Sequence, residues 1–369
     1  MLKKVIMFLL PCYFLFVICI DSAAINTSAR SSILIEAASG DVILSNNAYQ
    51  RLPMASTTKI MTAIVAIENC DCSTEITITE AMVGVEGSSI YLKVGERLTL
   101  EQLLYALLLQ SANDAAEAIA IGISDSVDNF ALLMNEKARE LGLNDTNFTN
   151  PHGLDDDMHY TTAADLAKIT AYALKNELFR EIVSTKKYVI KETDCNNERY
   201  LTNHNKLLFM YDGTIGVKTG FTKRSGRCLV SAAEKNGVTL IAVTLSAPDD
   251  WNDHISMFNY GFEQYESLTL ADKGQLSFRL PVICGDSDSV LISNKDSVTL
   301  TLKKDHKQLV CRIRIYNGKT LFAPIKKNEH IADAVYYVED REIAIIPLYA
   351  VDDVNAPKVE KRFFDFLKF

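Results

Sequence analysis

Positive charge is scarce in this chain. Lys and Arg number 38 against 47 Asp and Glu, a formal net charge of -9 over 369 residues. Nucleic-acid binding needs a basic surface to displace phosphate counterions, so that class of partner is excluded. Histidine is scarce too. The six, His152, His159, His204, His254, His306 and His330, form no His-Glu-x-x-His pair. A helical zinc site of that kind is therefore excluded, and no metal or cofactor is expected. His152 and His159 flank Asp155-Asp156-Asp157, a charge run that reads as a solvated loop. No internal repeat or low-complexity segment stands out. The apolar run from Val5 to Ile20 contains Pro11 and falls short of the ~20 residues that a spanning helix needs.

What is present begins with that run. Lys3 and Lys4 precede it, and Ser22-Ala23-Ala24 follows it. A charged start, an apolar middle and a small-residue end make an export signal over residues 1–24, so the remainder is expected outside the cytoplasm. Cys12 and Cys19 leave with the leader. Cys70, Cys72, Cys195, Cys228, Cys284 and Cys311 read as free or structural thiols, and the sequence chooses no pairing. With 48% hydrophobic and 23% charged residues, the composition is globular and supports a sizeable core. The length points to two domains.

Residues 25–270 mix helical and strand periods. Ser31 to Leu44 reads as a hairpin turning at Ser39-Gly40-Asp41, with Val42 and Leu44 answering Ile33 and Ile35. Ala55 to Glu68 is apolar nearly all round, as in a buried helix. Thr99-Leu100-Glu101-Gln102 is a capping box. The apolar helix it opens breaks at Ser111-Ala112-Asn113, and another resumes at Asp114. A further helix is expected between Tyr160 and Leu174. Gly216–Phe221, Gly226–Ala233 and Val238–Leu245 read as strands, the last two joined by Asn236-Gly237. Helices followed by such a meander imply an α+β domain with a central antiparallel sheet. Residues 275–352 are short alternating runs, a small all-β domain of sandwich type. In the tail, 356–369, Val359, Phe363, Phe366 and Leu367 share a helical face opposite Lys358, Lys361, Arg362 and Lys368. That pattern suits a membrane interface or docking on the chain's own domain.

Three polar motifs interrupt these apolar elements. A serine hydroxyl needs a group to take its proton, and a lysine destabilised by burial or by neighbouring cations can do so. In Ser56-Thr57-Thr58-Lys59 the i, i+3 spacing puts Ser56 and Lys59 on one helix face. Ser111-Ala112-Asn113 offers a hydroxyl for proton relay and an amide for a substrate carbonyl. Lys218-Thr219-Gly220 offers a second cation, a second hydroxyl and a glycine that admits another backbone. One Ser-x-x-Lys is common by chance. All three motifs, in this order and in an exported chain, are specific.

With these motifs the chain resembles the low-molecular-mass penicillin-binding proteins of the D-alanyl-D-alanine carboxypeptidase family. Asn150-Pro151-His152-Gly153-Leu154, Thr161 to Leu166, Asn203 to Leu208 and Asn259-Tyr260-Gly261-Phe262 are similar to further family stretches. The resemblance implies a β-lactamase/transpeptidase-like catalytic domain, a C-terminal β-domain and an amphipathic anchor at the outer face of the cytoplasmic membrane. It implies that Ser56 attacks the D-Ala-D-Ala bond of peptidoglycan stem peptides and that Lys59 accepts its proton. Ser111, linked to Lys218, would protonate the leaving D-alanine. Asn113 would position the substrate backbone, and Lys218 and Thr219 would hold its carboxylate. The N–H groups of Ser56 and of Phe221, the residue after Gly220, would form the oxyanion hole. β-Lactam antibiotics would be covalent inhibitors.

Two departures from the pattern stand out. Phe221 replaces a histidine found in some members. Ala247-Pro248-Asp249-Asp250-Trp251 lacks an arginine that some members bring to the carboxylate, leaving Arg224 or Arg227 to compensate. A DD-endopeptidase shares the chemistry. A β-lactamase would need a deacylating glutamate, for which Glu198-Arg199-Tyr200-Leu201 is only a faint echo. A penicillin-binding sensor or scaffold is the alternative of another class, against which stand the three intact motifs and the short stretch from Ala24 to Ser56.

Overall fold

The computed structural model describes residues 25–191, 198–306, 308–316 and 320–357. The expected leader, Cys195 and the tail beyond Pro357 lie outside the described residues.

A five-stranded antiparallel sheet organises the first domain, in the spatial order Val42–Asn46, Ser31–Glu36, Val238–Leu245, Gly226–Lys235, Thr214–Thr222. Strand side chains alternate between faces, and in the central strands both faces are buried, each against a different set of helices. Ile33, Ile35, Val230, Ala232, Ile241 and Val243 join one core with the helices Lys59–Asn69, Leu100–Leu109 and Ala163–Ala173. Leu34, Leu229, Leu240 and Ala242 face the other way and pack on Met257 and Phe258 of the helix Asp250–Gln264. The first hairpin differs from expectation. A bulge between Leu34 and Ile35 sets Leu44 opposite Leu34, while Val42 remains opposite Ile35. One extra residue in the ladder shifts the register and so changes which side chains meet.

Local signals explain the helix ends. Thr99 Oγ1 accepts from Gln102 N, and Gln102 Oε1 accepts from Thr99 N, which closes the capping box. Thr162 caps the helix Ala163–Ala173 through Asp165 N.

The second domain joins a six-stranded sheet to a two-stranded ribbon. The ribbon pairs Tyr265–Ala271 with Val298–Lys303, so the strand that follows the helix Asp250–Gln264 already belongs with the β-domain. Ala271 of the ribbon shares a core with Val290, Ile292, Ala334, Ile346 and Leu348 of the sheet. Cys70, Cys72, Cys228, Cys284 and Cys311 are free thiols. Among the described residues no helix is long and apolar enough to cross a membrane.

Candidate active site

Ser56 sits in the short turn Ala55–Thr58, which runs directly into the helix Lys59–Asn69. The turn begins at Ala55 with φ +49°, left-handed backbone that a side chain adopts only under strain. Two glycines make room for it. A Cβ on Gly153, itself at φ +89°, would stand 1.9 Å from Ala55 O. A Cβ on Gly220 would stand 3.1 Å from Ser56 N. The edge strand Thr214–Thr222 therefore passes close to the nucleophile's backbone, where a Cβ at 220 would be tight.

Lys59 is wholly buried. Its Nζ lies 3.1 Å from Ser56 Oγ, 2.7 Å from Asn113 Oδ1 and 2.6 Å from His152 O. Burial pushes its pKa well below the usual lysine value. The charge of Lys218 pushes the same way, and Asp114 opposes it. All three N–H groups of the charged form have an acceptor here; in the neutral form, with Asn113 and His152 taking two N–H groups, the lone pair would face the Ser56 hydroxyl.

Asn113, expected to position substrate, is also tied to the base. Its Oδ1 serves Lys59, and its Nδ2 donates to Glu86 O. Ser111 stands beside it at φ +60° and lines the same cleft as Ser56. Lys218 is buried, donates to Thr219 O at 2.9 Å, and has its pKa pushed down to about 7 by burial. The expected Ser111–Lys218 link is absent among the hydrogen bonds of the described residues. The buried Lys218 amine turns to its neighbour's carbonyl instead.

The cleft encloses about 360 Å³ and also exposes Thr219, Gly220 and Phe221. Beside Phe221, on the neighbouring strand, the cleft is lined by residues with no motif of their own. Arg227 donates from Nε and Nη2 to Asp250 Oδ1 at 3.0 and 2.7 Å, and its guanidinium lies 5.6 Å from the Trp251 ring. Arg224 pairs instead with Asp157 and does not line the cleft. His204 and Lys206 also line it. Glu198 is exposed and bonded to Tyr200, away from the cleft.

The segment around Asp155 also departs from a solvated loop. Asp155–Asp157 are exposed, but both flanking histidines are buried. His152 lends its carbonyl to Lys59. Its ring accepts from Leu154 N and lies 3.4 Å from Glu117 Oε1. His159 bonds to Thr58 beside the nucleophile.

Comparison with known proteins agrees with this architecture. The model of the D-alanyl-D-alanine carboxypeptidase family, peptidase S11, matches residues 20–249. The model of the penicillin-binding protein 5 C-terminal domain matches residues 265–356. D-alanyl-D-alanine carboxypeptidase DacF of Bacillus subtilis is 32% identical over 348 residues, covering 92% of this chain and 88% of its own. The crystal structure of penicillin binding protein 5 from Haemophilus influenzae aligns with a TM-score of 0.71 at 28% identity, over 89% of this chain and 98% of that one. A Streptomyces K15 DD-transpeptidase structure aligns at 35% identity and TM-score 0.62, covering 64% of this chain and 99% of its own.

Proposed function

The chain belongs to the D-alanyl-D-alanine carboxypeptidase family, and from that premise we propose how its residues remove the terminal D-alanine of a peptidoglycan stem peptide. Neutral Lys59 takes the Ser56 proton as Ser56 Oγ attacks the carbonyl carbon of the penultimate D-alanine. The oxyanion is held by the N–H groups of Ser56 and Phe221. The proton passes through Ser111 to the departing amine, and free D-alanine leaves. Water then attacks the ester on Ser56, with Lys59 again as base, and the shortened peptide is released. A β-lactam acylates Ser56 by the same steps.

Carboxylate binding falls to Thr219, to Lys218 in its charged form and to Arg227. Arg227 already spends Nε and Nη2 on Asp250, which fixes its fork and leaves Nη1 for a ligand. It takes the place of the arginine missing from Ala247-Pro248-Asp249. Gly220 keeps the strand beside Ser56 N, and Asn113 acts through Lys59. The observation that carries the reading is the geometry at Lys59, where two acceptors occupy its N–H groups and the third partner is Ser56 Oγ. We place the reaction at the outer face of the cytoplasmic membrane. The leader pattern of residues 1–24 and the amphipathic pattern of the tail support that placement.

The test is release of D-alanine from diacetyl-Lys-D-Ala-D-Ala by the purified protein and by Ser56→Ala. Release that disappears in the variant is expected. Penicillin binding without D-alanine release from the unaltered chain contradicts the reading and points to a sensor, an endopeptidase or, where penicillin is turned over rapidly, a β-lactamase.

A further inference from the structure

A hydrogen-bond chain reaches the nucleophile turn from behind. Thr149 N–H donates to His159 Nδ1 at 3.0 Å. That bond makes Nδ1 the acceptor and leaves the proton on Nε2. Nε2 lies 2.8 Å from Thr58 Oγ1, so the ring donates and the hydroxyl accepts. The Thr58 hydroxyl in turn donates to Ala55 O at 2.8 Å. Thr58 is wholly buried, and His159 is 3% exposed. The ring is held at its edge by Phe148, with centroids 5.8 Å apart.

Ala55 O belongs to the peptide unit that carries Ser56 N–H. The cis peptides of the described chain are Gly216-Val217 and Ala323-Pro324, so the Ala55–Ser56 peptide is trans. In a trans peptide C=O and N–H point in opposite directions within one plane. Whatever fixes Ala55 O therefore aims Ser56 N–H. The hydrogen bond to the carbonyl also polarises the unit and strengthens its N–H as a donor. Gly153 lies close to the same oxygen, where a Cβ would stand 1.9 Å away.

We infer that His159 and Thr58 are positioning residues for the oxyanion hole, aiming and polarising the Ser56 N–H through Ala55 O. The inference rests on Ser56 as the acylated nucleophile. Neither residue touches substrate. Their effect falls on the transition state, where the oxyanion draws most on the donor.

The experiment follows acylation by a slowly deacylated β-lactam and the infrared stretch of the resulting ester carbonyl. Thr58→Val keeps the shape and removes the hydroxyl, and Thr58→Ser restores it. His159→Gln keeps an acceptor for Thr149 and a donor for Thr58. His159→Asn reads the same link, with an amide too short to reach Thr58, if Thr58→Val fails to fold. Thr58→Val and His159→Asn are expected to slow acylation about 10- to 100-fold, to leave the peptide KM within about threefold, and to move the ester band to higher wavenumber. Thr58→Ser and His159→Gln should stay near the unaltered enzyme in rate and band. An unchanged rate and band in the disrupting variants, with Ser56→Ala inert, overturns this inference alone. Acylation that persists in Ser56→Ala overturns the reading beneath it.

Discussion

Asn113 Oδ1 lies 2.7 Å from Lys59 Nζ, which makes this amide part of the base's surroundings. Asn113→Asp would put a carboxylate against the lysine and favour its charged form. Acylation by penicillin at pH 7 is expected to fall by about 100-fold or more, since positioned proton removal contributes roughly 10²- to 10⁴-fold. The acid limb of the pH–rate profile should move to higher pH. A limb that stays in place would separate Asn113 from the base.

Lys218 carries a second pH signature. Burial brings its pKa down to about 7, so the free enzyme loses this cation as pH rises through that value. The KM of a peptide with a free terminal carboxylate is expected to climb between pH 7 and 9. A peptide amidated at that end should show no such climb. Equal behaviour of the two peptides would exclude Lys218 from carboxylate binding.

Arg227 offers a check at fixed pH. A hydrogen bond to a charged group is worth about 1.5–3 kcal/mol, so Arg227→Ala should raise the KM of the free-carboxylate peptide by roughly 10- to 100-fold. The amidated peptide should change little. Asp250→Asn, which loosens the hold on the guanidinium, should fall between the two. Steady-state kinetics on the paired peptides measures both.

Two buried histidines tie stability to pH. Burial lowers His159 to about 4 and His254 to about 3 from 6.5. Both are neutral in the folded chain where the unfolded chain is charged. Their contribution is complete above pH 6.5 and is lost as pH falls from 6.5 towards those values, at up to about 1.4 kcal/mol per pH unit for each group. His254→Gln, at a wholly buried position bonded to Thr244, should flatten the fall of Tm between pH 6.5 and 4. An equally steep fall in the variant would assign the acid sensitivity elsewhere.

The α+β frame was legible because its signals are local. The capping box at Thr99, the Asn236-Gly237 turn and the β-branched run Val238–Leu245 each act within a few residues. The motif serines and lysines could be read because they interrupt apolar elements at fixed spacing. The bulge at Leu34 could not, since register depends on the partner strand. The supports of the site were hidden for a similar reason. His152 serves Lys59 through its backbone carbonyl, which any residue type could supply. Arg227 meets Asp250 across 23 residues, and His159 meets Thr58 across 101. Only the fold brings those pairs together. The sequence did hold one clue to them, in the His-Gly of Asn150–Leu154, where Gly153 is the residue that lets Ala55 approach.

The central claim is that Ser56 becomes the acyl group's carrier with Lys59 as its base. Peptide mapping of the penicillin adduct by mass spectrometry tests it most directly, on the unaltered chain and on Lys59→Ala. The account predicts the added mass on the peptide containing Ser56, and its near-complete loss in Lys59→Ala on the same timescale. An adduct on any other residue, or undiminished labelling of Ser56 without Lys59, would contradict it.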